Sequence, residues 1–245
     1  MTPRIFVGAD VGAPAPGADY VLPALAKRHV AQALRMRVGQ PLTLFTGTGG
    51  EYATTIARID RRDVTLHVDR YDAIERESPL AVTLVQSLIA ADMMDWVVRK
   101  AVELGVAAIV PLQSARSQGI PSDRAARRVA HWRQVVIAAC EQCGRNRVPG
   151  IAPVVPFDEW VVSDDASSDT AILDADARRS LAAHAAGNAP RAIAIGPEGG
   201  FTPEELHRAR QRGALPVHLG RRVLRAETAA IAALATLGAL AGDAR

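Results

Sequence analysis

The sequence predicts an α/β protein in two parts: a small β-rich barrel over residues 1–75, and a C-terminal domain over residues 76–245 in which helices cover a mainly parallel sheet. Three observations carry this assignment. Before residue 70, apolar and polar residues alternate in short runs separated by turn residues. From residue 80, short apolar runs alternate with helix-length amphipathic segments. The polar stretch 71–79 lies between the two rhythms and is the natural linker.

In the first part, Arg4, Ile5, Phe6 and Val7 form a strand, and one helix is expected over 24–36. Leu42, Thr43, Leu44 and Phe45 make the next strand, and a glycine-rich turn follows at 47–50. Alternation resumes through Ile56 and Ile59 and then, past Arg61, Arg62 and Asp63, through Val64, Leu66 and Val68. Period two with short turns predicts a small antiparallel barrel.

In the second part, residues 82–88 form a strand and 93–104 a helix, with Trp96, Val97, Ala101 and Leu104 on one face and Gly105 at its end. A strand at 108–110 and a long helix over 122–140 follow. Strands are then expected at 171–173 and 192–195, a helix from Pro203, a strand at 217–219 and a last Ala-rich helix. Residues 163–170 read as a mobile surface loop. No internal repeat or low-complexity block interrupts this order.

With 245 residues, 49% of them hydrophobic and 22% charged, the chain has enough apolar sequence for two small cores, which excludes a disordered protein. Its formal charge is only +3, yet of 29 basic residues only Lys27 and Lys100 are lysines. A GC-rich genome produces such a bias. Arginine also suits phosphate recognition, because its planar fork of donors matches phosphate oxygens. The N-terminus has no apolar run behind a basic start, and the uncharged stretch 229–241 is too short to span a bilayer, so a cytoplasmic protein is expected. Cys140 and Cys143 are spaced C-x-x-C, but they close a helix where a redox motif would open one. Only His131 stands nearby as a further metal ligand. Both cysteines are therefore read as small buried hydrophobes, and no metal is expected.

Ligands in a parallel sheet collect at the carboxyl ends of strands. This directs attention to Gly196, Pro197, Glu198, Gly199 and Gly200, directly after the strand at 192–195. Adjacent glycines let a ligand approach the main chain, and Pro197 stiffens the turn. Thr202 can cap the next helix, with Pro203 at its first position and Glu205 completing a capping box. Such a loop also serves as a tight strand-to-helix connection with no ligand. No G-x-G-x-x-G occurs here and no P-loop lysine follows, which disfavours dinucleotide or triphosphate binding. A second loop, L-G-R-R-V-L-R-A-E-T-A from Leu219, leads into the last helix; taken alone, its Arg225 and Glu227 also read as a solvated ion pair.

Together, I-G-P-E-G-G-F-T and L-G-R-R-V-L-R-A-E-T-A resemble the RsmE family of ribosomal RNA methyltransferases in the SPOUT superfamily. The resemblance extends to P-R-I-F-V at 3–7, the run from His29 to Gly39, D-W-V-V-R-K-A-V-E-L-G-V at 95–106, P-L-Q-S-A-R-S at 111–117 and E-Q-C-G-R at 141–145. It departs from the family pattern at Ile89, Ala90 and Ala91, where a lysine is usual. The resemblance implies a PUA-like N-terminal barrel that helps hold RNA, a SPOUT domain threaded into a trefoil knot, and a homodimer. It further implies methyl transfer from S-adenosyl-L-methionine to uridine N3 in 16S ribosomal RNA, naked or within the small ribosomal subunit. A non-catalytic RNA-binding assembly factor and a small-molecule enzyme are the alternatives.

By the same resemblance, the cofactor contacts fall on Leu173, Gly196, Pro197, Glu198, Gly199, Gly200, Leu219, Gly220, Leu224, Arg225, Glu227, Thr228 and Ala229. Uracil N3 must lose its proton to become a nucleophile. Glu198 could accept it and Arg225 could stabilise the resulting charge, or Glu198 could fix the loop and Arg225 anchor a phosphate. RNA contacts are expected from Arg4, Arg35, Arg37, Arg116 and Arg145, with Arg28 and His29 as weaker candidates.

Overall fold

The computed structural model describes residues 2–9, 12–163, 166, 169–187, 189–241 and 243. The chain divides into two compact units, residues 1–77 with 137–148, and residues 78–136 with 149–245. The last turns of the long helix and the loop that follows it therefore group with the first unit.

The first unit holds a five-stranded sheet in the order β1-β3-β4-β5-β2, formed by β1 (Arg4–Phe6), β2 (Asp19–Val21), β3 (Pro41–Phe45), β4 (Glu51–Ile59) and β5 (Val64–Asp72). β3, β4, β5 and β2 pair antiparallel; short turns join β3 to β4 and β4 to β5, while β2 reaches β5 from far along the chain. β1 instead lies parallel to β3, with Ile5 opposite Leu44, so the expected all-antiparallel order does not hold at this edge. A parallel pair needs a long crossover, and residues 7–40 supply it. That crossover contains the expected helix in modified form: α1 (Ala24–Arg28) runs directly into a π-helical turn, His29–Ala33. One face of the sheet buries Ile5, Leu42, Leu44, Ile56, Val64 and Leu66 against Ala26 and Val30.

The second sheet has the order β12-β10-β11-β6-β7-β8, with β9 also on β7, and every pair in it is parallel. Its strands are β6 (Thr83–Ser87), β7 (Ala108–Gln113), β8 (Gly150–Ile151), β9 (Val155–Pro156), β10 (Thr170–Leu173), β11 (Ala192–Ile195) and β12 (Leu215–Val217). β11 is buried along its whole length, as expected of a central strand with both faces covered. The helices are α2 (Ala91–Glu103), α3 (Ser122–Cys143), α4 (Phe157–Trp160), α5 (Leu181–Ala185), α6 (Pro203–Gln211) and α7 (Ala226–Ala241). α7 buries Ala226, Ala229, Ala230, Ala233, Leu234 and Leu237, and α2 packs on it. Phe157, Trp160 and Phe201 fill the core beside Val85, Ile172 and Ala194.

Two expectations shift. The strand predicted at 217–219 ends at Val217, which leaves His218 and Leu219 in the loop. The mobile loop expected at 163–170 lies in part outside the described residues. Among the described residues, no helix is long and apolar enough to cross a membrane.

Candidate functional site

Because β12, β10 and β11 are adjacent and parallel, their carboxyl ends open on the same edge of the sheet. The three loops leaving those ends line a partly open cleft. β10 contributes Leu173 and Ala175; β11 contributes Ile195, Gly196, Pro197, Glu198 and Gly200. The loop after β12 adds His218, Leu219, Gly220, Arg222, Val223 and Leu224, and α7 adds Ala226 and Ala229. Convergence at such an edge is the usual place for a ligand in a parallel sheet.

The loop after β11 is braced from three directions. Gly200 N donates to Pro197 O at 2.9 Å, closing a tight turn. Arg116, in the loop after β7, donates from Nη1 to Gly199 O at 2.7 Å. Glu198, which is exposed, accepts from Ala90 N at 3.4 Å, a weak bond at the start of α2. The capping box expected at α6 is present: Thr202 accepts from Glu205 N at 3.1 Å and Glu205 accepts from Thr202 N at 2.8 Å. The other oxygen of the buried Glu205 carboxylate accepts from Ala115 N at 2.8 Å, so the loop after β7 is tied both to the glycine loop at Gly199 and to the first turn of α6.

Gly196 is required by close approach. A Cβ there would lie 2.9 Å from Phe201 N and 3.1 Å from the Gly200 Cα. The loop after β12 is closed by Gly220 N donating to His218 Nδ1 at 3.0 Å, with Gly220 at φ 108°, in the region that favours glycine.

Of the residues assigned to the cofactor from sequence, Leu173, Gly196, Pro197, Glu198, Gly200, Leu219, Gly220, Leu224 and Ala229 line the cleft. Gly199, Arg225, Glu227 and Thr228 do not. Gly199 is exposed on the outer side of its turn, against Arg116. Arg225 is exposed ahead of α7, and its carbonyl accepts from Ala229 N at 2.8 Å. Ala175, Ile195, His218, Arg222, Val223 and Ala226 are lining residues that sequence reasoning missed. Four of them, Ile195, Arg222, Val223 and Ala226, lie within the recognised motifs, so taking each motif whole would have included them. His218 directly precedes the second motif, and Ala175 becomes visible only once β10 is known to flank the cleft.

The arginines expected at RNA separate by burial. Arg35 and Arg37 are exposed, and Arg35 has φ 50°. Arg116 is exposed, with part of its fork committed to Gly199. Arg4 and Arg145 are turned inward. Arg4 bonds Glu51 at 2.6 Å and Asn146 at 2.5 Å, while Arg145, only 4% exposed, bonds Glu77 at 2.5 Å. Both guanidiniums serve this internal network, which the sequence alone does not reveal. In the same network, burial pushes the Glu51 carboxyl upward, but hydrogen bonds from Arg76 and Arg4 outweigh it and hold the group at about 2.

Cys140 is fully buried, and burial pushes its thiol up to about 12. Its Sγ donates to Arg147 O at 3.8 Å. Among the described residues, no group of three or more His, Cys, Asp or Glu side chains could hold a metal ion.

Residues 76–238 match a family model described as an RNA methyltransferase domain, and residues 26–69 match an RNA methyltransferase PUA domain. The chain is similar to the ribosomal RNA small subunit methyltransferase E of Buchnera aphidicola, at 26% identity over 98% of this chain and 94% of that protein. Its structure resembles that of a putative methyltransferase from Legionella pneumophila in complex with the bound cofactor SAM, with TM-score 0.90, 37% identity and coverage of 98% of each chain. It also resembles a ribosomal RNA small subunit methyltransferase E from Neisseria gonorrhoeae bound to S-adenosyl methionine, with TM-score 0.88, 34% identity and coverage of 98% of each chain.

Proposed function

The chain belongs to the RNA methyltransferase family, and from that premise we propose that it transfers a methyl group from S-adenosylmethionine to N3 of a uridine in 16S ribosomal RNA. The observation that carries this reading is the cleft at the ends of β10, β11 and β12, where the two recognised loop motifs converge. Its lining suits the donor. Gly196, Gly200 and Gly220 expose main-chain groups to a polar ligand, and Leu173, Ile195, Leu219 and Leu224 offer apolar surface to a flat base.

When bound, S-adenosylmethionine supplies a methyl group on an electron-poor sulfonium. The protein's part is to align acceptor and donor and to remove one proton. Glu198 projects from the exposed turn of the cleft and is the proposed proton acceptor for uracil N3–H. With the donor held against Gly196, Gly200, Leu219 and Gly220, loss of that proton would leave N3 free to take the methyl group, the C–S electrons staying on the donor's sulfur as a neutral thioether. Arg225, exposed beside the cleft's last lining loop, is the proposed partner for charge on the uracil carbonyls or a phosphate. Residues 1–75 serve as the PUA-like RNA-binding part, with Arg35 and Arg37 as its outward cations, and residues 76–245 as the SPOUT catalytic part. The reading includes the knotted chain path and the homodimer of that family; sedimentation that finds a concentration-independent monomer would reject the dimer.

The test is to incubate the protein with labelled S-adenosylmethionine and either naked 16S RNA or assembled small subunits, then to identify the product by nucleoside mass spectrometry. The expected product is 3-methyluridine. A ribose-methylated nucleoside or 5-methyluridine would reject N3 as the acceptor.

A further inference from the structure

A second cavity lies against β12 and the loop that follows β10. It is lined by Asp176, Ala177, Arg178, Arg179, His184, Arg210, Leu215, Pro216 and Val217. We propose that this cavity binds a phosphate group of the RNA backbone, seating the strand that delivers its base to the neighbouring cleft. The proposal rests on the RNA methyltransferase reading above.

The two cavities share their walls. Leu173 and Ala175 line the cleft and the next residue, Asp176, lines the cavity; Val217 lines the cavity and the next residue, His218, lines the cleft. A strand with one nucleotide in the cleft thus has the cavity directly beside it.

The charges suit an oxyanion. Arg178 is exposed and makes no hydrogen bond or ion pair among the described residues. Arg179 uses one Nη to donate to Ala183 O at 3.2 Å, which orients the guanidinium and leaves its other donors available. Arg210 is steadied by Asp174 at 2.8 Å. Against these three cations stand Asp174 and the exposed Asp176, so the site keeps a net positive charge. Guanidinium forks bind phosphate oxygens in pairs, and a pre-oriented fork loses less entropy on binding. The only histidine on the wall, His184, is 8% exposed, and its ring makes no bond among the described residues. Burial, and then the Arg179 charge, hold it below the ordinary imidazole range. A phosphate seated against it would bring negative charge to a ring that has no other partner among the described residues.

The decisive experiment measures RNA binding by fluorescence anisotropy across a salt series, for the wild type and for Arg178→Glu with Arg179→Glu. Methyl transfer is followed separately. The double reversal is expected to weaken RNA binding tenfold or more, to flatten the slope of log affinity against log salt by about one to two, and to leave S-adenosylmethionine affinity unchanged. Wild-type RNA affinity and salt slope in the folded double variant, with methyl transfer intact in the wild type, would overturn the phosphate site and leave the methyltransferase reading standing. If the wild type methylates no RNA while the reversals still weaken RNA binding, the methyltransferase reading fails and the site survives. Micromolar binding of inorganic phosphate that RNA does not displace would instead identify a free phosphate as the ligand and overturn the backbone assignment.

Discussion

Replacing Gly196 with alanine tests whether the glycine loop holds the ligand by its backbone. The new Cβ would stand 2.9 Å from Phe201 N and 3.1 Å from both the Cα and the carbonyl carbon of Gly200. All three atoms are main chain, tied by the Gly200–Pro197 turn and by the Thr202–Glu205 box, so the clash is relieved only by moving the loop. Overpacking of this kind costs about 1–3 kcal/mol. If most of that cost falls on the ligand-bound geometry, affinity drops by roughly tenfold for each 1.4 kcal/mol. Gly199→Ala is the internal control, because its Cβ would meet the Arg116 Cδ at 3.3 Å, and a flexible side chain can withdraw. Calorimetric titration with S-adenosylmethionine, paired with thermal melting, should show a loss of about tenfold or more for Gly196→Ala and a change within about threefold for Gly199→Ala. Wild-type affinity and melting temperature in Gly196→Ala would refute the reasoning, as would equal losses in the two variants.

Glu198→Gln separates two roles for that carboxylate. If it accepts the N3 proton, kcat falls by roughly 10²–10⁴ with cofactor affinity preserved; if it only holds Ala90 N, the glutamine oxygen still accepts that bond and both kcat and cofactor affinity stay near wild type. Glu51 is held at about 2, below its usual 4.5, so the stability it contributes is fully present above pH 4.5 and is lost as pH falls toward 2. Denaturant titrations should show that Glu51→Gln lowers stability at neutral pH and removes much of this acid dependence; an unchanged acid profile would mean that the network is not what fails. Cys140, with its thiol pushed up to about 12, should stay unlabelled by iodoacetamide in the folded protein at pH 8, as read by peptide mass spectrometry. Labelling without unfolding would contradict its burial.

Local pattern was enough for the elements that bear the site. The uniformly apolar β11, the box from Thr202 to Glu205 and the Ala-rich α7 each take their signal from neighbours a few residues apart, because hydrogen bonding within a turn of helix and side-chain alternation along a strand are local. The two loop motifs were legible for the same reason: their glycines and their positions after strands lie in the sequence itself. β2, β8 and β9 have only two or three residues each and exist because partners elsewhere in the chain supply their hydrogen bonds. The strand predicted at 217–219 is placed instead at 215–217 by its register on β10, where Val217 faces Leu173. Contacts across long sequence separation also decided what each arginine does. Arg4 and Arg145 carry no local mark that sets them apart from Arg35, yet Glu51 and Glu77 draw them inward, since a buried guanidinium needs a carboxylate and only the folded chain says which one is near. Arg116 reaches Gly199 across 83 residues of sequence for a similar reason: the parallel order of the sheet brings the loop after β7 beside the loop after β11, and no pattern confined to either segment encodes that meeting.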